Sequence, residues 1–449
     1  MAETQLNILI CGLTSDSSLL FIPLYKYLKN KNYEVSFFVP EYSGAICLID
    51  KEIQYLRLKD LSSDSDLSSE EASLLNTCLK FDLEQNEFSS FIIRFIKKRV
   101  IKKEGLRLFK ACKKYYGKKK IDLIIVWGGI RYHSNIPALV AKLHRIPCVY
   151  IEKGLYPFTL QVDDQGVNGL GRLKSEFSKK VVKDESYSLD FYQSLLKEKW
   201  CFIQPVTAIK IKIKLKYFIK EFAVYEFLIK VYHKYFETKI LKKYKYKEKW
   251  NVTDPITTAD RIEESDYIFV PFQVSDDSQL LIQDSWIRDN KSLVISVANG
   301  LRQLGIKRKI VIKEHPREFR NINYSEILKH EDILFSKAGT IDLISRSNLV
   351  ITINSTVGFE AVVFGKPVII TGSSLYESIP FIVKVNNQSE LNLNLKRFLS
   401  INYQFDKTEV NKHVSAVYEK LVKCNYVSPS EKEINNLWNK ISGLRLTSS

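Results

Sequence analysis

The feature that most constrains the fold is a repeated alternation of short Ile- and Val-rich segments with segments of helical spacing. LNILICGL (6–13) is followed by one such helical segment and then by YEVSFFVP (33–40). The strand segments lack polar alternation, which is typical of strands buried on both faces of a parallel sheet. A strand–helix–strand unit needs a parallel sheet with helices on its faces. We therefore predict an α/β fold.

The alternation falls into two halves. IDLIIVWGG (121–129), a helix over 135–145 and PCVYIEKG (147–154) complete the first, and the second runs from DYIFVPFQ (266–273) to PVIIT (367–371). A chain of 449 residues is too long for one ordinary core. We predict two Rossmann-like domains that face each other across a cleft. The predicted boundaries are 1–172 and 263–408 for the two domains, 173–262 for a helical insertion or linker, and 409–449 for C-terminal helices that pack back on the first domain.

The charge is concentrated in the predicted insertion. The chain carries a net charge of +17, and residues 205–250 contain thirteen Lys and four Glu, a net of +9. These Lys alternate with Ile, Leu, Phe and Tyr, as in a basic amphipathic surface that contacts anionic lipid headgroups. A solvated, Lys-rich helical insertion fits the same composition. No nucleic-acid-binding motif accompanies the charge, so we expect no nucleic-acid partner.

Cysteine usage and the chain start indicate the compartment. The seven Cys are scattered without CxxC pairs, which argues against a disulfide framework or a zinc site and fits a reducing cytoplasm. The start MAETQLNILICGL has no basic region before its apolar run, so we expect no signal peptide. No apolar run approaches the roughly 18 residues that a membrane-spanning helix needs.

Polar clusters follow the predicted strands, at the sheet edge where α/β proteins bind ligands. In NSTVGFEAVVFGKP (354–367), Ser355, Thr356 and Gly358 form a turn before a helix, and backbone N–H groups with two hydroxyls there can hold an anion. We expect Glu360 in the first helical turn, where it could accept hydrogen bonds from ribose hydroxyls. Ordinary helix capping is the alternative for each of these residues.

The segment KEHP (313–316) ends another predicted strand. Lys313 and His315 can balance a phosphate or a carboxylate, and His315 can also donate a proton. Glu314 lies between them. A solvated surface turn before Pro316 is the alternative.

Carboxylates follow strands in both halves. In VPFQVSDDSQ (270–279), Asp276 or Asp277 could cap a helix or attack the anomeric carbon of a sugar. Glu152 ends a strand of the first half, opposite that site, and is suited to general acid/base catalysis. Asp163 and Asp164, in the glycine-containing stretch 150–172 that we predict to be a defined loop, compete with Glu152 for this role.

Taken in order, these motifs resemble the bacterial capsule polysaccharide synthesis family. The resemblance rests on WGG, YIEKG, TLQVDDQGVN, PFQVSDDSQ, KEHP and NSTVGFEAVVFGKPVI, and runs from about 120 to 380. The family contains retaining β-Kdo glycosyltransferases. The resemblance implies a GT-B-like architecture, with an acceptor domain first and a nucleotide-sugar-binding domain second, and CMP-Kdo as the donor.

The resemblance also implies roles for individual residues. Asp277 matches the nucleophile of the element Q-x-x-x-D, which Gln273 begins, although Asp276 remains an alternative nucleophile. Glu152 matches the proposed acid/base of E-x-G. The implied donor-binding set is Lys313, His315, Glu314, Gln273, Ser355, Thr356, Gly358 and Glu360, and the implied acceptor loop contains Gly154, Asp163 and Asn168.

The resemblance further implies the partners. The acceptor would be a glycan or lipid-linked oligosaccharide at the inner face of the cytoplasmic membrane, with peripheral contact to anionic lipid. CMP-Kdo already carries its activating phosphate, so we expect no cofactor and no metal. Two other functions stay open: an inverting transferase that uses CMP-sialic acid, and a non-catalytic glycan-binding partner of polysaccharide export.

Overall fold

The computed structural model describes residues 6–447 except 15, 41, 50, 57–65, 86–90, 178–186, 202–265, 276, 278, 281–284, 316–317, 319–323 and 400–405. Its strands are β1 (Asn7–Cys11), β2 (Glu34–Phe38), β3 (Tyr55–Leu56), β4 (Leu123–Trp127), β5 (Cys148–Lys153), β6 (Thr159–Asp163), β7 (Tyr267–Pro271), β8 (Lys309–Lys313), β9 (Ile333–Phe335), β10 (Leu349–Thr352), β11 (Val368–Ile370), β12 (Ile382–Lys384) and β13 (Val422–Lys423).

The helices cover the faces of two sheets. They are α1 (Ser18–Asn30), α2 (Tyr42–Ile49), α3 (Ser69–Gln85), α4 (Phe91–Lys118), α5 (Tyr132–Leu143), α6 (Leu173–Glu176), α7 (Leu189–Cys201), α8 (Asn290–Leu304), α9 (Thr340–Arg346), α10 (Thr356–Val363), α11 (Gln388–Leu399), α12 (Lys407–Lys420) and α13 (Glu431–Thr447). Among the described residues, no helix is both long enough and apolar enough to cross a membrane. The Lys-rich stretch 205–250 lies outside these residues.

The N-terminal domain is built on a seven-stranded sheet in the order β13-β6-β5-β4-β1-β2-β3. Strands β1 to β5 are parallel; for example, Ile8 pairs with Val35 on one side and Leu123 on the other. The predicted loop that follows Glu152 within 150–172 is wrong in part, because Thr159–Asp163 forms β6, which runs antiparallel to β5. All five residues of β6 are buried, so the chain gains a covered strand that is paired on both sides, with β5 and β13.

The C-terminal domain has a six-stranded sheet in the order β12-β11-β10-β7-β8-β9, and all its pairs are parallel. The residues of β7 and β10 are buried throughout, as their unbroken apolar sequences predict. Helix α8 begins after Asp289, whose side chain accepts a hydrogen bond from the Ser292 N–H, and ends at Gly305 with φ +65°. The two sheets confirm the predicted α/β fold with two Rossmann-like domains.

The C-terminal segment contacts both domains. Helix α12 lies against α7 and α10, and its apolar side chains Val410, Val414 and Val417 belong to the core around the second sheet. Strand β13 then pairs with β6, and α13 packs on α1 against the first sheet. The end of the chain therefore ties the two sheets together.

The turn between β5 and β6 also joins the domains. Tyr156 is buried in this turn and packs edge-on against Phe359 of α10 at 5.1 Å and against Tyr418 of α12 at 5.2 Å. Its hydroxyl donates to the Val414 carbonyl at 3.2 Å. The hairpin that carries Glu152 is thus anchored in the core of the C-terminal domain.

Candidate active site

Glu152 lies in β5 at the carboxyl edge of the first sheet. The backbone N–H of Lys153 donates to Glu152 Oε1 at 2.9 Å, and Gly128, at φ +69°, leaves the space beside Glu152 Oε2 open. A Cβ at position 128 would stand 3.3 Å from that oxygen. Burial raises the pKa of the Glu152 carboxyl, and the charge of Asp277 in the other domain raises it further, against the opposing effect of Lys153.

Asp277 lies in the loop after β7. Its backbone N–H donates to the Val274 carbonyl at 2.9 Å, and its Oδ1 accepts from the Gln279 N–H at 2.9 Å. These bonds fold the loop into a tight turn. The Asp277 charge acts on Glu152, so the two carboxylates lie within electrostatic range of each other although they belong to different domains. The alternative nucleophile, Asp276, lies outside the described residues.

A buried carboxylate holds the Asp277 loop against the loop after β8. Glu318 is 3% exposed, and its Oε2 accepts from the backbone N–H of Ser275 at 2.7 Å. The Glu318 N–H in turn donates to the His315 carbonyl at 2.9 Å. The loop that carries Asp277 and the loop that carries His315 are therefore fixed to each other by one side chain.

The three residues of KEH point to different surroundings. The Lys313 ammonium donates to the Ala338 carbonyl in the loop after β9, and burial lowers the pKa of Lys313 while Asp342 opposes that effect. Glu314 lies near the buried Tyr324. Burial is the main cause that raises the pKa of Tyr324, and the Glu314 charge adds to it. His315 is partly buried, and its carbonyl accepts from Glu318, the residue that also holds the Asp277 loop. The three side chains of this strand end therefore do not share one set of partners, and the backbone of His315 is the part that Glu318 links to the Asp277 loop.

The proposed nucleotide loop begins α10. Ser355 is the N-cap of this helix: its Oγ accepts from the Val357 N–H at 3.3 Å, and Thr356 beside it is exposed. The expected place of Glu360 in the first turn is wrong, because α10 begins at Thr356 and Glu360 is its fifth residue. Glu360 is fully buried. The pKa of Tyr376 is raised mainly by the burial of Tyr376 itself, and the nearby charge of Glu360 raises it further.

Gln273 joins the loops of two strands. Its side-chain amide donates to Asn354 Oδ1 at 2.7 Å, and its Oε1 accepts from the Asn354 N–H at 3.1 Å. The Asn354 amide donates onward to the Gln279 carbonyl at 2.9 Å. Gln273 is buried and therefore aligns the Asp277 loop with the loop that starts α10.

The loop after β6 is built by its own polar side chains. The Asp163 carboxylate is buried and accepts from the backbone N–H groups of Gln165 and Leu173, each at 2.8 Å, while Asp164 pairs with Arg172 at 2.6 Å. Asn168 exchanges two hydrogen bonds with Gln161, at 2.8 and 2.9 Å. Gly154 is needed at the hairpin, since a Cβ there would stand 2.1 Å from Thr159 Oγ1.

Both loop aspartates are thus engaged within the loop, which favours Glu152 as the acid/base. Gly154 and Asn168 shape the loop that borders it.

The sequence profile of the family described as capsule polysaccharide biosynthesis protein matches residues 122–392, which is more than half of the chain. This match covers the site residues of both domains. The chain belongs to this family.

Other similarities are more distant or cover less. A stretch of 127 residues is 38% identical to the protein FixF of Sinorhizobium fredii and covers 28% of this chain and 31% of that protein, so the chain matches about a third of its length. The β-Kdo 2,7-transferase of Thermosulfurimonas dismutans KpsC is 17% identical, with a TM-score of 0.38 over 74% of this chain and 89% of its own. The β-Kdo 2,4-transferase of the same KpsC is 14% identical, with a TM-score of 0.37 over 71% of this chain and 87% of its own.

Three residues that hold this capsule-family site together are absent from the sequence predictions. They are Glu318, Asn354 and Tyr376, whose side chains form hydrogen bonds with backbone groups of the site loops. The closeness of Glu318 to the EHP turn is the one signal that could have indicated it. Among the described residues, no three or more His, Cys, Asp or Glu side chains are grouped so that they could hold a metal ion.

Gly358→Ala is expected to destabilise the nucleotide loop. A Cβ at Gly358 would stand 2.6 Å from the hydroxyl of the buried Tyr376, which donates to the Ser355 carbonyl. Relieving this overlap is expected to cost about 1–3 kcal/mol of unfolding free energy. Chemical denaturation measures the change.

Gly443→Ala is the matched control, because Gly443 lies inside α13 and nothing stands within 4 Å of its added Cβ. There the same substitution should stabilise the fold by up to about 1 kcal/mol. Equal effects of the two variants would contradict the close packing of Tyr376 on α10.

Proposed function

We propose that this protein is a glycosyltransferase of capsule polysaccharide synthesis, and more specifically a retaining transferase that moves Kdo from CMP-Kdo to a glycan acceptor. The observation that carries the proposal is that Glu152 follows a strand of the first sheet and Asp277 a strand of the second, close enough for the Asp277 charge to raise the pKa of Glu152. A double displacement needs this pair: one carboxylate to attack the sugar, and one group to manage the proton of the acceptor.

In the first step a carboxylate oxygen of Asp277 bonds to C2 of Kdo. The bond from C2 to the phosphate oxygen breaks, and CMP leaves with the electron pair. The loop geometry supports this role, because one oxygen of Asp277 is held by the Gln279 N–H. CMP is a stabilised anion, so its departure needs no proton from the protein.

In the second step an acceptor hydroxyl attacks C2 from the opposite face. Its proton passes to the Glu152 carboxylate, the C2–Asp277 ester bond breaks, and Asp277 regains its charge. Two inversions at C2 retain the β configuration. Burial raises the pKa of Glu152, which makes its carboxylate a stronger base than an exposed one.

The donor carries two anions, a phosphate and the Kdo carboxylate. The N-terminus of α10, with Ser355 and Thr356, supplies backbone N–H groups and hydroxyls for one of them. His315 lies beside the Asp277 loop and can meet the other. Lys313 is bound to the Ala338 carbonyl, so it would have to exchange that partner to reach the donor.

The proposal includes a lipid-linked acceptor and peripheral contact with the inner face of the cytoplasmic membrane. It is supported by the overall charge of +17 and by the Lys-rich stretch 205–250. The two proposed displacement steps use no metal and no cofactor.

Incubation with a panel of CMP-sugars tests the proposal. We expect CMP release from CMP-Kdo and an intact protein whose mass rises by one Kdo residue, measured by mass spectrometry. Release from CMP-sialic acid without any protein adduct would favour the inverting alternative. Donor binding without CMP release, on addition of acceptor glycans, would favour a non-catalytic glycan-binding protein.

A further inference from the structure

Helix α4 carries the most basic stretch of the described chain. Residues 91–120 contain thirteen Lys or Arg and a single acidic residue, Glu104, a net charge of +12. This exceeds the net charge of 205–250 and makes up most of the total excess. In this helix Arg107 pairs with Glu104 and Lys113 pairs with Glu71 of α3, at 3.3 and 2.5 Å.

The helix has one buried face and one exposed face. Its buried residues, which include Leu108, Cys112 and Tyr116, pack under the first sheet against α3 and α5. On the exposed side, Phe95 is 56% exposed and Leu106 is 37% exposed.

The basic residues of that side stand between these two apolar ones. They are the exposed residues Arg99, Lys102 and Lys103. The Arg99 guanidinium lies 5.5 Å from the centre of the Phe95 ring. Positions 95, 99, 102 and 106 follow helical spacing, so they form one stripe, which we call the α4 stripe.

Contacts with the neighbouring helix α3 show where the α4 stripe lies along its helix relative to the first sheet. α3 and α4 run antiparallel, and Gly105 of α4 faces Leu79 of α3: a Cβ on Gly105 would stand 2.6 Å from Leu79 Cδ2. Asp82 lies almost one turn beyond Leu79, at the level of Lys102. The Asp82 carboxylate accepts from the Tyr132 N–H at 2.7 Å.

Tyr132 starts α5 a few residues after the carboxyl end of β4. The part of α4 that precedes Lys102 therefore lies beyond the carboxyl edge of the first sheet. Glu152 lies at this same edge. The outer part of the α4 stripe is thus on the side of the molecule where the candidate active site opens.

We propose that the α4 stripe is a docking surface for an anionic lipid bilayer. Exposed Lys and Arg on such a surface attract anionic headgroups, and exposed Phe and Leu on either side of them can insert at the boundary with the acyl chains. A nucleic-acid surface would gain from the charges, but an exposed leucine next to them has no use in phosphate binding. The apolar residues therefore favour lipid over nucleic acid.

The biological role of this surface rests on the proposed function, because a bilayer bound along the α4 stripe would lie beside the site that receives a lipid-linked acceptor. Binding along the α4 stripe does not depend on catalysis. CMP release in solution reports on the proposed transferase, and binding to vesicles reports on the α4 stripe, so failure of either one is recognised separately.

The test is co-sedimentation of the full-length protein with two kinds of vesicle, phosphatidylcholine alone and phosphatidylcholine with 30% phosphatidylglycerol (about one anionic lipid in three). We expect binding to the anionic vesicles that weakens with salt. A basic residue at such a surface is worth about fivefold in partitioning. Arg99→Glu/Lys102→Glu/Lys103→Glu should therefore lower binding by about 100-fold or more.

A matched control is available on the other domain. Arg302, Lys307 and Lys329 are exposed, so Arg302→Glu/Lys307→Glu/Lys329→Glu lowers the net charge from +17 to the same +11. We expect this control to keep most of the binding. Equal losses in both triple variants would show that total charge governs binding, and would overturn the α4 stripe as a docking surface.

The apolar part is tested separately. Phe95→Ser/Leu106→Ser should lower binding at least about tenfold, while Leu143→Ser/Leu393→Ser, at two other exposed leucines, should not. Wild-type binding to neither vesicle would refute the proposal. Tighter binding to a DNA or RNA duplex, lost in the Arg99/Lys102/Lys103 variant, would refute it in favour of nucleic acid.

Discussion

Asp277→Asn is expected to lower the rate of Kdo transfer by about 10⁴-fold or more while leaving the fold unchanged. The amide keeps an Oδ1 that can accept from the Gln279 N–H at 2.9 Å, so the turn after β7 can form as in the wild type. The amide oxygen is a poor nucleophile, so the first displacement fails. Release of CMP from CMP-Kdo measures the rate, and thermal unfolding checks the fold.

Asp332→Asn is the control for this substitution, since Asp332 is exposed on the C-terminal domain and should retain full activity. Asp276→Asn distinguishes the two candidate nucleophiles. Full activity of Asp277→Asn together with loss in Asp276→Asn would move the nucleophile to position 276. Full activity of both variants would end the double-displacement mechanism.

Glu152→Gln is expected to separate the two chemical steps. The first step needs no proton from Glu152, whereas the second needs its carboxylate to take the proton of the acceptor. We therefore expect transfer to fall by about 10²–10⁴-fold, while the Asp277–Kdo ester accumulates on the protein. Intact-mass measurement detects the ester, and Glu152→Gln/Asp277→Asn should show none. If Glu152→Gln accumulates no more of the Asp277–Kdo ester than the wild type does, Glu152 is not the base.

The same substitution is expected to stabilise the fold at neutral pH. Burial and the Asp277 charge raise the pKa of Glu152 above its unfolded value, so the folded protein holds the ionised carboxylate at a cost. The wild type should lose stability relative to Glu152→Gln as pH rises from about 4.3 to the raised pKa. Above that pKa the difference should stay constant, and below about 4.3 it should vanish.

Denaturation of both proteins across this pH range measures the effect. The exposed Glu331 provides a control, because Glu331→Gln removes the same charge without burial. A Glu152→Gln protein less stable than wild type at neutral pH would show that the carboxylate is well compensated in the fold. The raised pKa would then be wrong.

Strand ends were predictable because their signal is local. The unbroken apolar runs that became β7, β8 and β10 place Asp277, His315 and Ser355 just after buried strands. In a parallel sheet all such ends meet at one edge. The family resemblance then added the roles that a strand end alone does not specify.

The wrong predictions concern features that depend on contacts distant in the sequence. β6 reads as a loop because glycines and aspartates flank it, yet pairing with β5 and β13 makes it a buried strand. Asp163 reads as a catalytic candidate because it is acidic and close to Glu152, yet it holds backbone N–H groups of its own loop. Both outcomes depend on partners that the local sequence does not reveal.

The amino-acid sequence by itself determined the two α/β halves and the edges at which their polar residues collect, because hydrophobic periodicity acts within a few residues along the chain. Tertiary structure alone decided which groups work together. Glu152 meets the charge of Asp277, and Glu318 fixes the Asp277 loop beside His315, only when segments more than forty residues apart are brought into contact. Such pairings, and the raised pKa that follows from burial, depend on three-dimensional packing and electrostatics.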